Sequence, residues 1–211
     1  MKKSLSLVLL LLLALWSSPA EAGKVLYQND FEKAVLDQVP DDFLVLDGDF
    51  AVKQSDGNKF LELPGSPLDT FGILFGSSTN AGICVSARIY GTSKGRRSPS
   101  FGVGLNGAGG YKLKASPAKN ALEIYKGDVS AASVPFNWKS GSWTMFRLRV
   151  RPAGDAWKVE GKAWVQTDPE PKEWMILLDE KTPPHDGRPS IWGSPYSGTP
   201  IRFDDLAVTI E

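Results

Sequence analysis

The chain has 211 residues with 24 basic and 24 acidic side chains, so its formal net charge at pH 7 is zero. That balance excludes a nucleic-acid partner, because neutralising phosphates requires a basic surplus. Cys84 is the sole cysteine, which excludes an intrachain disulfide, and the length suits one domain with a sizeable core.

Residues 1–22 read as an export leader. Lys2 and Lys3 form a positive start, Leu5 to Trp16 an apolar run, and Ala20-Glu21-Ala22 an A-x-A cleavage site. The apolar run is shorter than the roughly 20 residues that a membrane helix needs. The expected mature chain is therefore residues 23–211, a single domain. It would be exported to the periplasm or the extracellular space, with no membrane association after cleavage.

Alternation with a period of two dominates residues 23–211. Val25, Tyr27, Asn29 and Phe31 oppose Leu26, Gln28 and Asp30. Glu32 to Val39 has room for one helical turn. Asp56-Gly57-Asn58 signals a turn before the strand Phe60 to Leu63. Ile83, Val85, Ala87 and Ile89 share a face, as do Phe101, Val103 and Leu105, and then Tyr111, Leu113 and Ala115. Short strands are expected at Ala121 to Lys126, Trp143 to Arg151, Trp157 to Gln166, Trp174 to Leu178, Ser190 to Trp192 and Ile201 to Ile210. Many short strands between turns, with little helical periodicity, predict two packed antiparallel sheets.

Several motifs carry less than their spelling suggests. Gly102-Val-Gly-Leu-Asn-Gly107 spells G-x-G-x-x-G, but an alternating strand comes after it where a dinucleotide site requires a helix, so it predicts a glycine-rich strand and hairpin. His185 is the sole histidine and sits in a turn-rich loop, which excludes a two-histidine zinc motif. No G-x-S-x-G elbow is present to carry a serine triad. Cys84 has no sequence neighbour that would activate a thiol, and reads as a small packing residue.

The segments NDFE, VLDGDFAVKQSDGNKFLEL, FGVGLNGAGGYKLKA, Trp143 before FRLRV, and GRPSIWGSPYSGTPIRFDDLAV resemble the concanavalin A-like lectin/glucanase superfamily, especially its exported LamG and keto-sugar-hydrolase-like branch. The resemblance covers nearly all of residues 23–211 and implies an all-β, two-sheet antiparallel jelly-roll sandwich. Glucanases of the superfamily carry an E-x-D-x-E strand whose acids line one cleft. Glu170-Pro-Lys-Glu173 is broken by Pro171 and does not reproduce it. Related carbohydrate-binding modules hold a structural calcium between a glutamate near the first strand and an aspartate near the last. Glu32 with Asp204 or Asp205 occupies the matching positions here. Alternatively, Asp204 caps backbone N–H groups of a turn or pairs with an arginine such as Arg88 or Arg202.

If Trp143 to Arg151 and Trp157 to Gln166 form a hairpin, Arg147, Arg149, Glu160 and Trp164 fall on one outer face. An indole can pack on the C–H face of a pyranose while arginine and glutamate bond its hydroxyls, and the basic balance of the face favours an acidic glycan. The alternative is a solvated face laced with ion pairs. The expected function is an exported, non-catalytic glycan-binding module. A glycoside-acting hydrolase similar to the keto-sugar hydrolases and a structural or protein-interaction sandwich are the alternatives.

Overall fold

The computed structural model describes residues 23–79 and 82–210. The expected leader, residues 1–22, lies outside the described residues. The protein is an all-β antiparallel sandwich of two sheets. In spatial order, the first sheet runs β13 (Ile176–Glu180), β12 (Ala156–Val165), β11 (Trp143–Ala153), β6 (Ile83–Tyr90), β15 (Ile201–Ile210), β4 (Asn58–Leu63) and β3 (Ala51–Ser55), and β1 (Lys24–Asn29) also pairs with β15. The second runs β10 (Val129–Pro135), β9 (Ala121–Lys126), β8 (Tyr111–Ser116), β7 (Ser100–Leu105), β14 (Ser190–Ser194), β5 (Phe71–Leu74) and β2 (Leu44–Asp47).

Alternation places the core. Val85, Ala87 and Ile89 of β6, Phe146, Leu148 and Val150 of β11, and Val103, Leu105 and Leu113 of β7 and β8 are all fully buried between the sheets. Burying each such side chain stabilises the fold by about 1.5–3 kcal/mol. Phe101 meets Phe146 edge-on across the layer, with ring centroids 5.8 Å apart. Gly161 of β12 also faces inward, and a Cβ there would lie 2.6 Å from Leu113 Cδ1, so the sheets approach too closely at this point for any side chain.

The structure departs from the sequence expectations in a few places. Glu32 to Val39 forms successive turns and not a helical turn, and the helical element among the described residues is a single 3₁₀ turn at Pro117–Lys119. The segment around Trp174 enters its strand only at Ile176. The strands β2, β3, β5 and β10 are additions to the set read from alternation; β2 and β10 lie at the two edges of their sheet, and their apolar residues are in part exposed.

The last strand requires the largest correction. Simple alternation puts Phe203 and Leu206 on opposite faces, yet both are fully buried in the core. A β-bulge at Asp204–Asp205 makes this possible. Asp205 adopts φ +50°, the register on β6 shifts between Asp204 and Ala207, and the extra residue returns Leu206 to the inner face. The bulge also marks a change of partner. Before it, Ile201 to Phe203 pair with β4; after it, Leu206 to Ile210 pair with β1.

Candidate functional site

The two aspartates of the bulge have separate tasks. Asp204 is fully buried. Its Oδ2 accepts hydrogen bonds from Arg88 Nη2 (2.6 Å) and Asn58 Nδ2 (2.8 Å), and its Oδ1 accepts from the backbone N–H of Asp205 (2.7 Å). Asp205 is half exposed, and its Oδ2 lies 3.0 Å from Arg88 Nε without the alignment of a hydrogen bond. Arg88 in turn lies over the Trp143 ring at 4.7 Å. Of the alternatives the sequence left open, pairing with Arg88 is the arrangement found.

The first strand ends in a comparable device. Asn29 Oδ1 accepts from the N–H of Phe31, which has φ +57° and is driven into the core, and Glu32 Oε1 accepts from the N–H of Lys59. Glu32 and Asp204 therefore both reach the Asn58–Lys59 hairpin, but each is engaged there by protein donors. A calcium ion requires a shell of six to eight oxygens free of competing cations. The Arg88 guanidinium at 2.6 Å from Asp204 does not fit that requirement. Among the described residues no group of three His, Cys, Asp or Glu side chains is placed to hold a metal.

β11 and β12 do form the hairpin, joined at Gly154-Asp155. Its register sets Arg149 opposite Glu160, Arg147 opposite Lys162 and Met145 opposite Trp164. The expected quartet thus shares the outer face of the first sheet, with Trp164 half-buried at one end. Its polar capacity is used within the protein. Glu160 accepts from Arg149 Nε (2.8 Å) and from Arg151 Nε and Nη2 (2.9 and 3.0 Å), while Glu170 takes Arg147 and Lys162, both at 2.7 Å. Burial pushes the Glu160 carboxyl up, but hydrogen bonds from Arg151 and Arg149 outweigh it and hold the group below the usual carboxylate range. Trp174, from the loop before β13, covers the cluster, with Arg149 at 4.6 Å and Lys162 at 4.8 Å from its ring.

A second polar face lies on the outside of the second sheet, and there the arrangement is more open. Its residues come from five strands in register. Across the sheet, Glu123 (β9) pairs with Lys114 (β8), Lys114 with Gly102 (β7), Gly102 with Trp192 (β14), and Trp192 with Gly72 (β5). The next row runs Tyr125, Lys112, Gly104, Ser190. The glycines are what make room. A Cβ on Gly72 would lie 2.6 Å from the Trp192 ring, and one on Gly104 would lie 2.4 Å from Ser190 Oγ. The G-x-G of the sequence is therefore the floor of this face. The Trp192 indole lies in it, its Nε1–H donating to Ser190 Oγ at 2.8 Å and the Lys112 ammonium 4.1 Å from its ring.

Two hollows open over this floor, of about 250 Å³ (Thr70, Lys112, Trp192 and neighbours) and 260 Å³ (Ser100, Ser116, Lys119, Tyr196 and neighbours). Lys114 and Tyr125 line both, so the hollows are two parts of one groove. Tyr196, 45% exposed, stands at the rim. Glu123 is buried and accepts from Ser116 (2.5 Å), Lys119 (3.0 Å), Tyr125 (3.1 Å) and Ser130 (3.1 Å). Burial raises its pKa, but bonds from Ser116, Lys119 and Tyr125 outweigh burial and keep it below the usual range. The Lys114 ammonium is lowered, first by burial and then by the neighbouring Lys112.

A third hollow, of about 310 Å³, lies at one end of the second sheet between Asn106, Tyr111, Lys126 and the loop Thr182 to His185. His185 is exposed there, and its carbonyl accepts from Asn106 Nδ2 at 2.8 Å.

Sequence reasoning misses the groove residues. Alternation sets Lys112 and Lys114 opposite Tyr111, Leu113 and Ala115, which is a usable signal. The pairing of β8 with β9 and of β7 with β14, which assembles the face, is not visible in the sequence.

No family model matches the chain, and no curated protein matches it. Solved structures do. It is similar to the carbohydrate-binding module CBM66 from Bacillus subtilis (10% identity, 80% of this chain and 95% of that one, TM-score 0.54). It is similar to the metal-free form of lectin I-B4 from Griffonia simplicifolia (11%, 81% and 94%, TM-score 0.52). It is also similar to the catalytic domain of the glycoside hydrolase family 131 protein from Coprinopsis cinerea (10%, 90% and 98%, TM-score 0.54). At these identities the likeness is one of fold. The chain has the concanavalin A-like lectin/glucanase fold that its motifs resemble.

Proposed function

We propose that the protein is an exported, non-catalytic glycan-binding module, and that it binds in the groove of the second sheet. The observation that carries this reading is the groove itself. It is an open channel over β7, β8, β9 and β14 in which Tyr125 and Tyr196 offer ring faces beside Lys114, Ser100 and Ser116, while Trp192, buried under Lys112, forms its apolar floor. Sugars are recognised by that combination, because a pyranose presents an apolar C–H face and a rim of hydroxyls. The lectin and carbohydrate-binding neighbours in the fold comparison support the same reading.

The state of the acids favours binding over hydrolysis. A glycosidase general acid must hold its proton near neutral pH, so its pKa is raised. Glu123, the buried carboxyl of the groove, has its pKa lowered, and its oxygens are occupied by four protein donors. The outer face of β11 and β12 supports a site less well, because Glu160 and Glu170 already take up the arginines that would grip a ligand.

A glycan array probed with the purified protein tests the reading. Tyr196→Ala, at an exposed rim position, should weaken binding at least about tenfold while leaving the melting temperature unchanged, and Trp164→Ala should leave binding intact. Binding lost in Trp164→Ala and kept in Tyr196→Ala would move the site to the first sheet. Turnover of a bound glycan would replace the binder with an enzyme.

A further inference from the structure

The charges of the groove do not balance. Lys112, Lys114 and Lys119 face it with their ammonium groups, against the carboxylates of Glu123 and Asp128. Both carboxylates are engaged elsewhere. Asp128 lies 3.1 Å from Lys112, and Glu123 is held by Lys119 and three hydroxyls. Lys114 is left over. Its Nζ lies 5.3 Å from the Tyr125 ring centroid, and among the described residues no carboxylate oxygen is within ion-pair distance of it. It is mostly buried and lines both halves of the groove. A mostly buried ammonium with no carboxylate in contact is incompletely compensated by the more distant Glu123 and Asp128, and an anion brought by a ligand would complete it.

We propose that this anion is a group on the bound glycan, a uronate carboxylate or a sulfate ester, seated on Lys114 between Tyr125 and Trp192. The proposal rests on the glycan-binding reading of the same groove. Lys112 is held over the Trp192 ring by Gly127 O and Asp128, each 3.1 Å from its Nζ, and adds positive potential without competing for the seat. The sugar ring attached to the anion would then lie toward Tyr196 and Ser100 in the adjoining hollow. The ring contacts of the groove are thereby joined to a charge requirement, which selects acidic over neutral polysaccharides.

The test uses the purified protein and a panel of uronic-acid oligomers, sulfated oligosaccharides and neutral oligosaccharides. Acidic hits are remeasured by calorimetry as their carboxyl-reduced or desulfated counterparts. The expected result is binding confined to acidic members, at least about tenfold weaker once the anion is removed, as for loss of a charge-assisted hydrogen bond. Lys114→Met should produce the same loss, and the affinity of the unaltered protein should fall as salt rises. The salt series and the modified ligands decide the matter even if that variant does not fold. The uronate and sulfate arms separate the two sources of the anion. Binding of neutral glycans only, or of acidic ones with Lys114→Met unaffected, would overturn the anion seat and leave the glycan reading standing. No binding to any member would overturn both.

Discussion

Replacing Asp204 with alanine should be the most destabilising single change on the outer face of the first sheet. The carboxylate is fully buried and accepts from Arg88, Asn58 and the Asp205 N–H. Removing one partner of a buried ion pair costs about 3–5 kcal/mol, because the other charge is left uncompensated. Arg88 retains Asp205 Oδ2 at 3.0 Å, but that carboxylate is 47% exposed and poorly aligned, so the low end applies, about 3 kcal/mol. For a domain of this size each kcal/mol moves the midpoint by about 2–4 °C, so the melting temperature should fall by about 6–12 °C. Thermal and urea unfolding followed by circular dichroism would measure this. The control is Asp205→Asn, which tolerates the positive φ and loses only a half-exposed ion pair, at a cost of less than about 1 kcal/mol. A midpoint for Asp204→Ala within about 2 °C of the unaltered protein, or an equal loss in both variants, would show that the bulge is not held by its buried carboxylate.

Other outcomes rest on the same electrostatics. Lys114→Met should raise stability at neutral pH by about 0.5–1 kcal/mol. The folded pKa of Lys114 lies below its free-chain value, through burial and Lys112 against the weaker pull of Glu123 and Asp128, so its charged form is disfavoured in the fold. That penalty is complete at neutral pH and disappears only as pH rises through the folded and then the free-chain pKa; a lowered midpoint at pH 7 would contradict the assignment. Glu123, Glu160 and Glu170 all have lowered pKa values, so their contribution is complete above the free-chain carboxylate range and is lost as pH falls through their folded values. Burial raises the Asp204 pKa against the bonds from Asn58, the Asp205 N–H and Arg88, so its contribution runs the other way, but the three lowered groups outnumber it. Melting temperature should therefore decline below about pH 4.3, and a flat acid limb would refute it. Excess calcium and EDTA should both leave the midpoint unchanged, since Asp204 and Glu32 are already engaged; a rise with calcium would return those residues to a metal site.

How much of this the sequence discloses depends on how far apart the contacting residues lie along the chain. Arg149 and Glu160 can be paired in advance, because a two-residue turn fixes the register of β11 on β12 and period-two alternation does the rest. Leu206 cannot be placed relative to Phe203 by the same rule. A single added residue at Asp205 reverses parity, and the sequence signal for it, two adjacent aspartates, is equally consistent with a cap or a metal ligand. The groove is least accessible. Trp192 meets Gly102 and Gly72 through pairings of β14 with β7 and β5, which span roughly 90 and 120 positions of the chain, and no local pattern specifies such pairings.

The two outer faces also show why composition alone points to the wrong degree of openness. Both mix lysine or arginine, glutamate and tryptophan, and from sequence the first is the richer in charge. Folding satisfies that first face: Glu160 and Glu170 lie among Arg147, Arg149, Arg151 and Lys162, and Trp174 covers them. Such a network adds rigidity and offers a ligand little, since each new bond must break an existing one. On the second face the glycines of β5 and β7 leave the space that the Trp192 ring occupies, so the floor stays low, and the acids are committed to Lys112, Lys119 and the hydroxyls. What distinguishes a candidate site from a stabilised surface here is the residual demand, one mostly buried ammonium with rings beside it and space above. That demand arises only from the three-dimensional arrangement of charges that are balanced in the chain as a whole.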